Sequence, residues 1–325
     1  MNSYLRADWE NPTEMAATRD GFGEGLIAAA EADERVVALC ADLSESTRVL
    51  AFAKQFPTRF IEMGVAEQNL AAVASGLANY GKIPFITSYA AFSPGRNYEQ
   101  IRTTIAINQV PVIICGMHAG VSVGPDGATH QMLEDVGMMR MLPGMTVVVP
   151  ADAEEARKAT LAASLLGTPV YLRFGREKTP LFTTTDSPFE IGKANVLLDA
   201  EDSQVVLVAC GTLVHSALRA AKELEALGVT ATVVNNHTIK PLDTETILAV
   251  ARKARAVVTI EEHQTAGGMG SAVAELLARE SPTPIEFIGA PDQFGQSGKP
   301  AELIEHYGMG VGHIVAAAER AIARR

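Results

Sequence analysis

The chain has 325 residues, 47% of them hydrophobic and 20% charged, with a formal net charge of −11. That length favours two domains with sizeable cores. The acidic balance argues against a nucleic-acid or anionic-membrane surface, and no apolar run reaches the length of a membrane span. The N-terminus, Met1 to Asp8, has no signal-peptide core. Cys40, Cys115 and Cys210 lie far apart in apolar runs and read as buried free thiols of a reducing, cytoplasmic compartment.

In chain order, Glu14–Ala32 reads as a helix. Strand-like runs follow at Val36–Cys40, Arg59–Met63, Ile83–Thr87, Val110–Gly116, Met145–Val149 and Pro169–Phe174. They alternate with helical patterns at Leu50–Phe56, Ala66–Tyr80, Tyr98–Asn108, His130–Met141 and Ala153–Leu166. The Pro/Thr/Asp-rich stretch Lys178–Pro188 breaks the alternation and reads as a linker. The pattern then resumes with strands Val205–Cys210, Val229–Asn235, Ala256–Glu261 and Ile285–Ile288. Their helices are Val214–Leu227, Thr244–Ala254, Gly270–Arg279 and finally Val311–Arg324. The fold class is therefore α/β, with two doubly wound domains, each holding a mostly parallel sheet. The expected division is residues 1–180, a linker at 181–195, and residues 196–325.

In open α/β sheets ligands sit beyond the C-terminal strand ends, and this is where the chemistry clusters. Asp42 to Ser46 follow the first strand, Glu67 the second, Tyr89, Phe92 and Arg96 the third. His118, Asp126 and His130 follow the fourth, and Arg176 follows the last strand of the first domain. Singly, each has an ordinary explanation: Glu67 complements a helix N-terminus, and a lone His or Arg is usually a solvated group. Together they place different functional types on one rim. Two glycine runs invite a nucleotide reading. Gly21-x-Gly23-x-Gly25 has no strand before it, which the dinucleotide fingerprint requires. Ala266-Gly267-Gly268-Met269-Gly270 follows a strand and opens a helix, and could hold an anion, but close strand–helix packing explains it better. Cys115, His118, Asp126 and His130 match no common zinc spacing.

The run Gly64-Val65-Ala66-Glu67-Gln68-Asn69, then Thr87-Ser88-Tyr89-Ala90-Ala91-Phe92, then Gly124-Pro125-Asp126-Gly127-Ala128-Thr129-His130-Gln131, resembles the pyrimidine-binding domain of transketolase. The second domain resembles the transketolase C-terminal domain through His237-Thr238-Ile239-Lys240-Pro241-Leu242-Asp243 and Asp292-Gln293-Phe294-Gly295-Gln296-Ser297-Gly298. The resemblance implies a thiamine diphosphate enzyme of ketol transfer. Glu67 takes the place of the glutamate that hydrogen-bonds N1′ of the aminopyrimidine. To donate there it must hold or share a proton, which burial under the cofactor favours and a helix N-terminus opposes. Tyr89 and Phe92 take the places of stacking aromatics, with Arg96 nearby. Many transketolases carry a second Tyr three residues beyond the Phe, where this chain has Gly95. Arg19, Ser46, His118 and Arg176 resemble sugar-phosphate ligands; Arg173 competes with Arg176 but falls inside the strand. Asp126 resembles the reader of the C2 hydroxyl, and His130 the histidine beside the C1 hydroxyl, polar or proton-shuttling.

The sequence contains no Gly-Asp-Gly, the start of the domain that holds the cofactor's diphosphate and its divalent metal in single-chain transketolases. The resemblance therefore implies the C-terminal half of a split enzyme. The magnesium or calcium ion is then held by a separate N-terminal, diphosphate-binding subunit, and the pair is expected to form a heterotetramer. Two other readings stand beside it. One is a beta-type subunit of another thiamine enzyme, a 2-oxoacid dehydrogenase or a deoxyxylulose-phosphate synthase, the latter sharing an Arg at position 96. The other is a non-catalytic, degenerate half.

Overall fold

A computed structural model of the protein describes residues 4–325; the first residues of the N-terminal segment discussed above lie outside it. Two α/β units are each built on a largely parallel sheet. The first sheet has seven strands in the order Thr238–Lys240, Thr146–Val148, Val170–Arg173, Ile113–Met117, Ile83–Tyr89, Val36–Cys40 and Phe60–Glu62. The second has five, in the order Ile285–Ala290, Val257–Gln264, Val205–Ala209, Ala231–Asn235 and Asn195–Leu198. The central strands read as unbroken apolar runs because helices cover both faces. All five residues of Val36–Cys40, Ile113–Met117 and Val205–Ala209 are buried.

Three sequence expectations need correction. Lys178–Pro180 is not linker: it pairs antiparallel with Met15–Ala17, which is itself a strand preceding the helix Thr18–Ala32. Thr238–Lys240, expected with the second domain, adds antiparallel to the edge of the first sheet beside Thr146–Val148. A three-residue strand offers too little periodicity to be seen. Finally, helix begins at Asp135, not His130. Residues 130–134 form a loop held by Gln131, whose Nε2 donates to the carbonyls of Val121, Gly124 and Gln296.

The two units share a polar seam. The buried Arg173 donates from Nε to Asp135 Oδ2 at 2.7 Å and from Nη2 to the Glu262 carbonyl at 2.8 Å. Tyr171 Oη donates to the same Asp135 oxygen at 2.6 Å. Arg173 is therefore a structural group, and burial raises the Tyr171 phenol far above its usual range beside that carboxylate.

Candidate active site

Strand register sets the rim. Cys40 lies opposite Thr87, Thr87 opposite Cys115, and Gly116 opposite Arg173. The segments that leave these strands consequently emerge side by side. Glu67 opens the helix Glu67–Asn79, whose Leu70, Ala71, Ala74 and Ala78 face the core, and its side chain is only 1% exposed. Ser88 Oγ donates to Glu67 Oε1 at 3.0 Å, and Arg96 Nη1 donates to Oε2 at 3.0 Å. Asn97 Nδ2 donates to the Glu67 carbonyl at 2.9 Å, fixing the helix start.

The aromatic wall lies next to this carboxylate. Tyr89 and Phe92 have near-parallel rings, 7° apart in plane with centroids separated by 6.2 Å. His130 stands edge-on to both, at 6.0 and 5.3 Å. Its Nδ1 lies 2.9 Å from Thr129 Oγ1. The Arg96 guanidinium covers the Phe92 ring at 4.8 Å, and a Cβ at Gly95 would collide with the Ala91 carbonyl oxygen, so the second Tyr of many transketolases has no room there.

On the other side of Tyr89 lies a basic group. Tyr89 Oη is 2.8 Å from Ser46 Oγ, and the Tyr89 ring packs 4.2 Å from that of His118. Arg19, in the first turn of Thr18–Ala32, donates from Nη1 to the Ser46 carbonyl at 2.9 Å and approaches His118 Nε2 at 3.1 Å. A guanidinium only donates, so Nε2 accepts and the ring hydrogen sits on Nδ1. That atom is buried and has no protein partner, and the same is true of Arg19 Nε. Burial, helped by the charges of Arg19 and Arg176, pushes the His118 pKa down to about 3, so the ring is neutral near pH 7. His118 also holds φ at +55°, a left-handed conformation that is uncommon outside glycine and clusters at ligand sites.

Arg176 reaches across to Asp126, with Nη1 donating to Oδ2 at 3.1 Å and to the Val123 carbonyl at 3.1 Å. Both side chains are about one-third exposed (32% and 30%). The fold thus groups Glu67, Tyr89, Phe92, Arg96 and His130 on one side and Arg19, Ser46 and His118 on the other, with Tyr89 common to both; Arg176 and Asp126 form a third, linked pair. Reading by residue type missed Ser88, Asn97 and Glu62. Glu62 ties the loop after the first strand, accepting from Asp42 N at 2.7 Å, Gly64 N at 2.9 Å and Ser44 Oγ at 3.2 Å. The signal for Ser88 was available: it is a polar residue inside the apolar strand Ile83–Tyr89.

Both glycine runs have structural explanations. A Cβ at Gly21 would overlap the Ala153 carbonyl oxygen, and one at Gly25 would lie 2.6 Å from the Arg157 carbonyl oxygen, so these glycines let Thr18–Ala32 pack tightly on Ala153–Leu165. At Gly268–Gly270 the amides of the helix start are buried and already taken: Met269 N and Gly270 N each donate to a Glu261 carboxylate oxygen at 2.8 Å. Among the described residues, no group of three His, Cys, Asp or Glu side chains is placed to hold a metal. Nor is any described helix long and apolar enough to cross a membrane. The three cysteines are buried and unpaired.

Two transketolase family models match the chain. The pyrimidine-binding domain spans residues 14–180, and the C-terminal domain spans residues 192–314. The chain belongs to the transketolase family, as the half that carries these two domains. A solved structure described as a split-gene transketolase, an inactive beta4 tetramer, is similar with a TM-score of 0.88 and 45% identity, covering 94% of this chain and 98% of that one. The 6-deoxy-6-sulfo-D-fructose transketolase subunit SqwH of a Clostridium species is 39% identical over 94% of this chain and 95% of its own length. An apulose-4-phosphate transketolase subunit of Phocaeicola vulgatus is 38% identical over 91% of this chain and 94% of its own length.

Proposed function

We propose that this chain is the C-terminal subunit of a thiamine diphosphate-dependent transketolase, which moves a two-carbon ketol unit from a ketose phosphate to an aldose phosphate. It acts only together with a separate diphosphate-binding subunit that holds the divalent metal. The carrying observation is the buried Glu67 carboxyl beside an aromatic wall and a basic group with two unmet buried donors, Arg19 Nε and His118 Nδ1. Leaving such donors unpaired costs about 1–3 kcal/mol each, a cost that a bound oxyanion removes. A relative of this kind forms an inactive tetramer of its own, which supports the need for a partner and a heterotetrameric active form.

The residues suit the cofactor's aminopyrimidine. Glu67 is dry and sits where its carboxyl can hydrogen-bond a ring nitrogen, while Phe92 and Tyr89 offer faces for stacking worth about 0.5–1.5 kcal/mol each. Thiamine diphosphate, when bound, supplies the acidic thiazolium carbon that accepts the two-carbon unit. This chain's own residues do the rest. Arg19, Ser46, His118 and Arg176 bind and orient the sugar's terminal oxyanion. Asp126 accepts from the C2 hydroxyl, so a sugar lacking or inverting that group leaves it unpaired. His130, with Nδ1 beside Thr129, turns Nε2 to hold or move a proton at the C1 hydroxyl. One similar protein is named for a sulfo-sugar and another for a sugar phosphate. Both names carry a terminal oxyanion, which fits a site that recognises that group first.

The test is reconstitution. Mixing this chain with the diphosphate-binding chain is expected to give ketol transfer between sugar phosphates. Glu67→Gln is expected to lower the rate about 10²–10⁴-fold while leaving the circular dichroism spectrum unchanged. Turnover by the isolated chain, near-normal turnover by the variant, or turnover of pyruvate in place of ketose would overturn the assignment.

A further inference from the structure

A cavity of about 570 Å³ lies between the domains and away from Glu67. It falls in the size range of small-molecule sites, about 300–1,000 Å³. Its position follows from the topology of the second sheet. From Val205–Ala209 the chain moves through the helix Val214–Ala226 to Ala231–Asn235 on one side. It then crosses back through Thr244–Ala254 to Val257–Gln264 on the other side. The strand order therefore reverses between Val205–Ala209 and Val257–Gln264. Thr212, just after the first of these strands, and Glu262, near the end of the second, both line the cavity. A crevice beyond the carboxyl ends of strands at such a reversal is where open α/β sheets bind ligands.

The lining has an apolar wall that includes Leu213, Ile304 and Val311. Most of its charged groups already have a hydrogen-bonding or ionic partner. Glu262 accepts from Ser122 N at 2.6 Å and Ser122 Oγ at 3.1 Å, Lys299 binds Glu302 at 3.0 Å, Glu305 lies 3.6 Å from His313, and Glu177 lies 3.9 Å from Arg176. Lys178 and Arg219 remain, and neither side chain has a hydrogen bond or ion pair among the described residues. An apolar wall facing two free cations matches a ligand with an apolar body and one anionic group.

We propose that this cavity is a binding site for a small organic anion, a phosphate or carboxylate on a compact apolar body, held by Arg219 and Lys178. The site is linked to the catalytic rim. Gly175 and Glu177, which flank Arg176, line it, as does Ser122 of the turn Val121–Asp126 that carries Asp126.

Phenyl phosphate is the probe, titrated into the full chain by isothermal calorimetry, with no turnover required. One saturable binding event is expected. Arg219→Ala should weaken it about tenfold or more, the loss of one charge-assisted contact, and Arg19→Ala, which removes a group of the sugar-phosphate cleft that does not line this cavity, should leave it in place. Ser216→Trp, which fills the cavity, should abolish it with an unchanged circular dichroism spectrum. Binding lost with Arg19→Ala places the probe in the sugar-phosphate cleft and overturns the proposal. Binding insensitive to Arg219→Ala, or no saturable binding, also overturns it. None of these results depends on whether the reconstituted enzyme transfers ketol units.

Discussion

Arg96 pairs with Glu67 at 3.0 Å while its guanidinium lies 4.8 Å over the Phe92 ring. The two partners live in different solvents: Arg96 is 50% exposed and Glu67 1%. Water screens the arginine, so the pair is worth far less than a fully buried one. Arg96→Ala is expected to destabilise the chain by about 1 kcal/mol in urea denaturation. In a Glu67→Gln background the same change should cost almost nothing, because no buried charge remains to be left alone. A loss of equal size in both backgrounds would show that Arg96 acts through its packing on Phe92.

Arg176 and Asp126 hold each other at 3.1 Å, so a sugar phosphate bound as proposed would compete for both. Arg176→Ala is expected to raise KM for phosphorylated sugars about 10–100-fold, the value of a charged hydrogen bond, and to change KM for unphosphorylated sugars much less. Equal effects on both would remove the phosphate role. Asp126→Ala should erode selectivity at the C2 hydroxyl, read from relative kcat/KM among donor epimers; unchanged selectivity would count against its role.

Gly21 and Gly76 both lie on helices, yet they face opposite environments. A Cβ at Gly21 meets the backbone of Ala153, which cannot yield, whereas a Cβ at Gly76 meets nothing within 4 Å. Gly21→Ala should destabilise by about 1–3 kcal/mol through overpacking. Gly76→Ala should stabilise by about 0.5–1 kcal/mol through backbone entropy. Thermal unfolding of both variants distinguishes the signs. A stable Gly21→Ala protein would mean the helix pair Thr18–Ala32 and Ala153–Leu165 packs less closely than described.

These glycines show what sequence can and cannot carry. The alternation of apolar strands and amphipathic helices was legible because each element's period depends on its own burial: Val36–Cys40 and Thr244–Ala254 fall where the pattern put them. The polar types of the candidate site could be picked out because they follow strand ends. Pairings between distant segments were not. Nothing in Thr238–Lys240 says that it joins the first sheet, and nothing in Lys178–Pro180 says that it meets Met15–Ala17. The Arg96–Glu67 contact was equally hidden, since 29 residues separate the pair. Arg173 and Arg176 differ by three positions, yet one is sealed between domains and the other reaches the rim; the apolar run Pro169–Phe174, with Arg173 inside it and Arg176 beyond it, made that distinction readable.

Glu155 is buried where the helix Ala153–Leu165 meets the second domain. It accepts from Ala151 N at 2.7 Å and from Asn235 Nδ2 at 2.7 Å. Burial, with the neighbouring Asp152 carboxylate, raises its pKa from 4.5 to about 8, opposed by those hydrogen bonds and by Lys158. The folded protein therefore keeps a proton that the unfolded chain releases above about pH 4.5. Stability from this group is complete below that pH and is lost as pH rises through about 8. His118 and His237, both pushed down to about 3 from 6.5, act with the opposite sign, but only below pH 6.5. Between pH 6.5 and 8 the urea midpoint of the native chain should therefore fall, and Glu155→Gln should flatten that fall. The glutamine is accommodated because Asn235 can turn its unpartnered Oδ1 toward the new amide. A variant whose midpoint falls with pH as steeply as the native chain's would show that Glu155 is ionised in the fold.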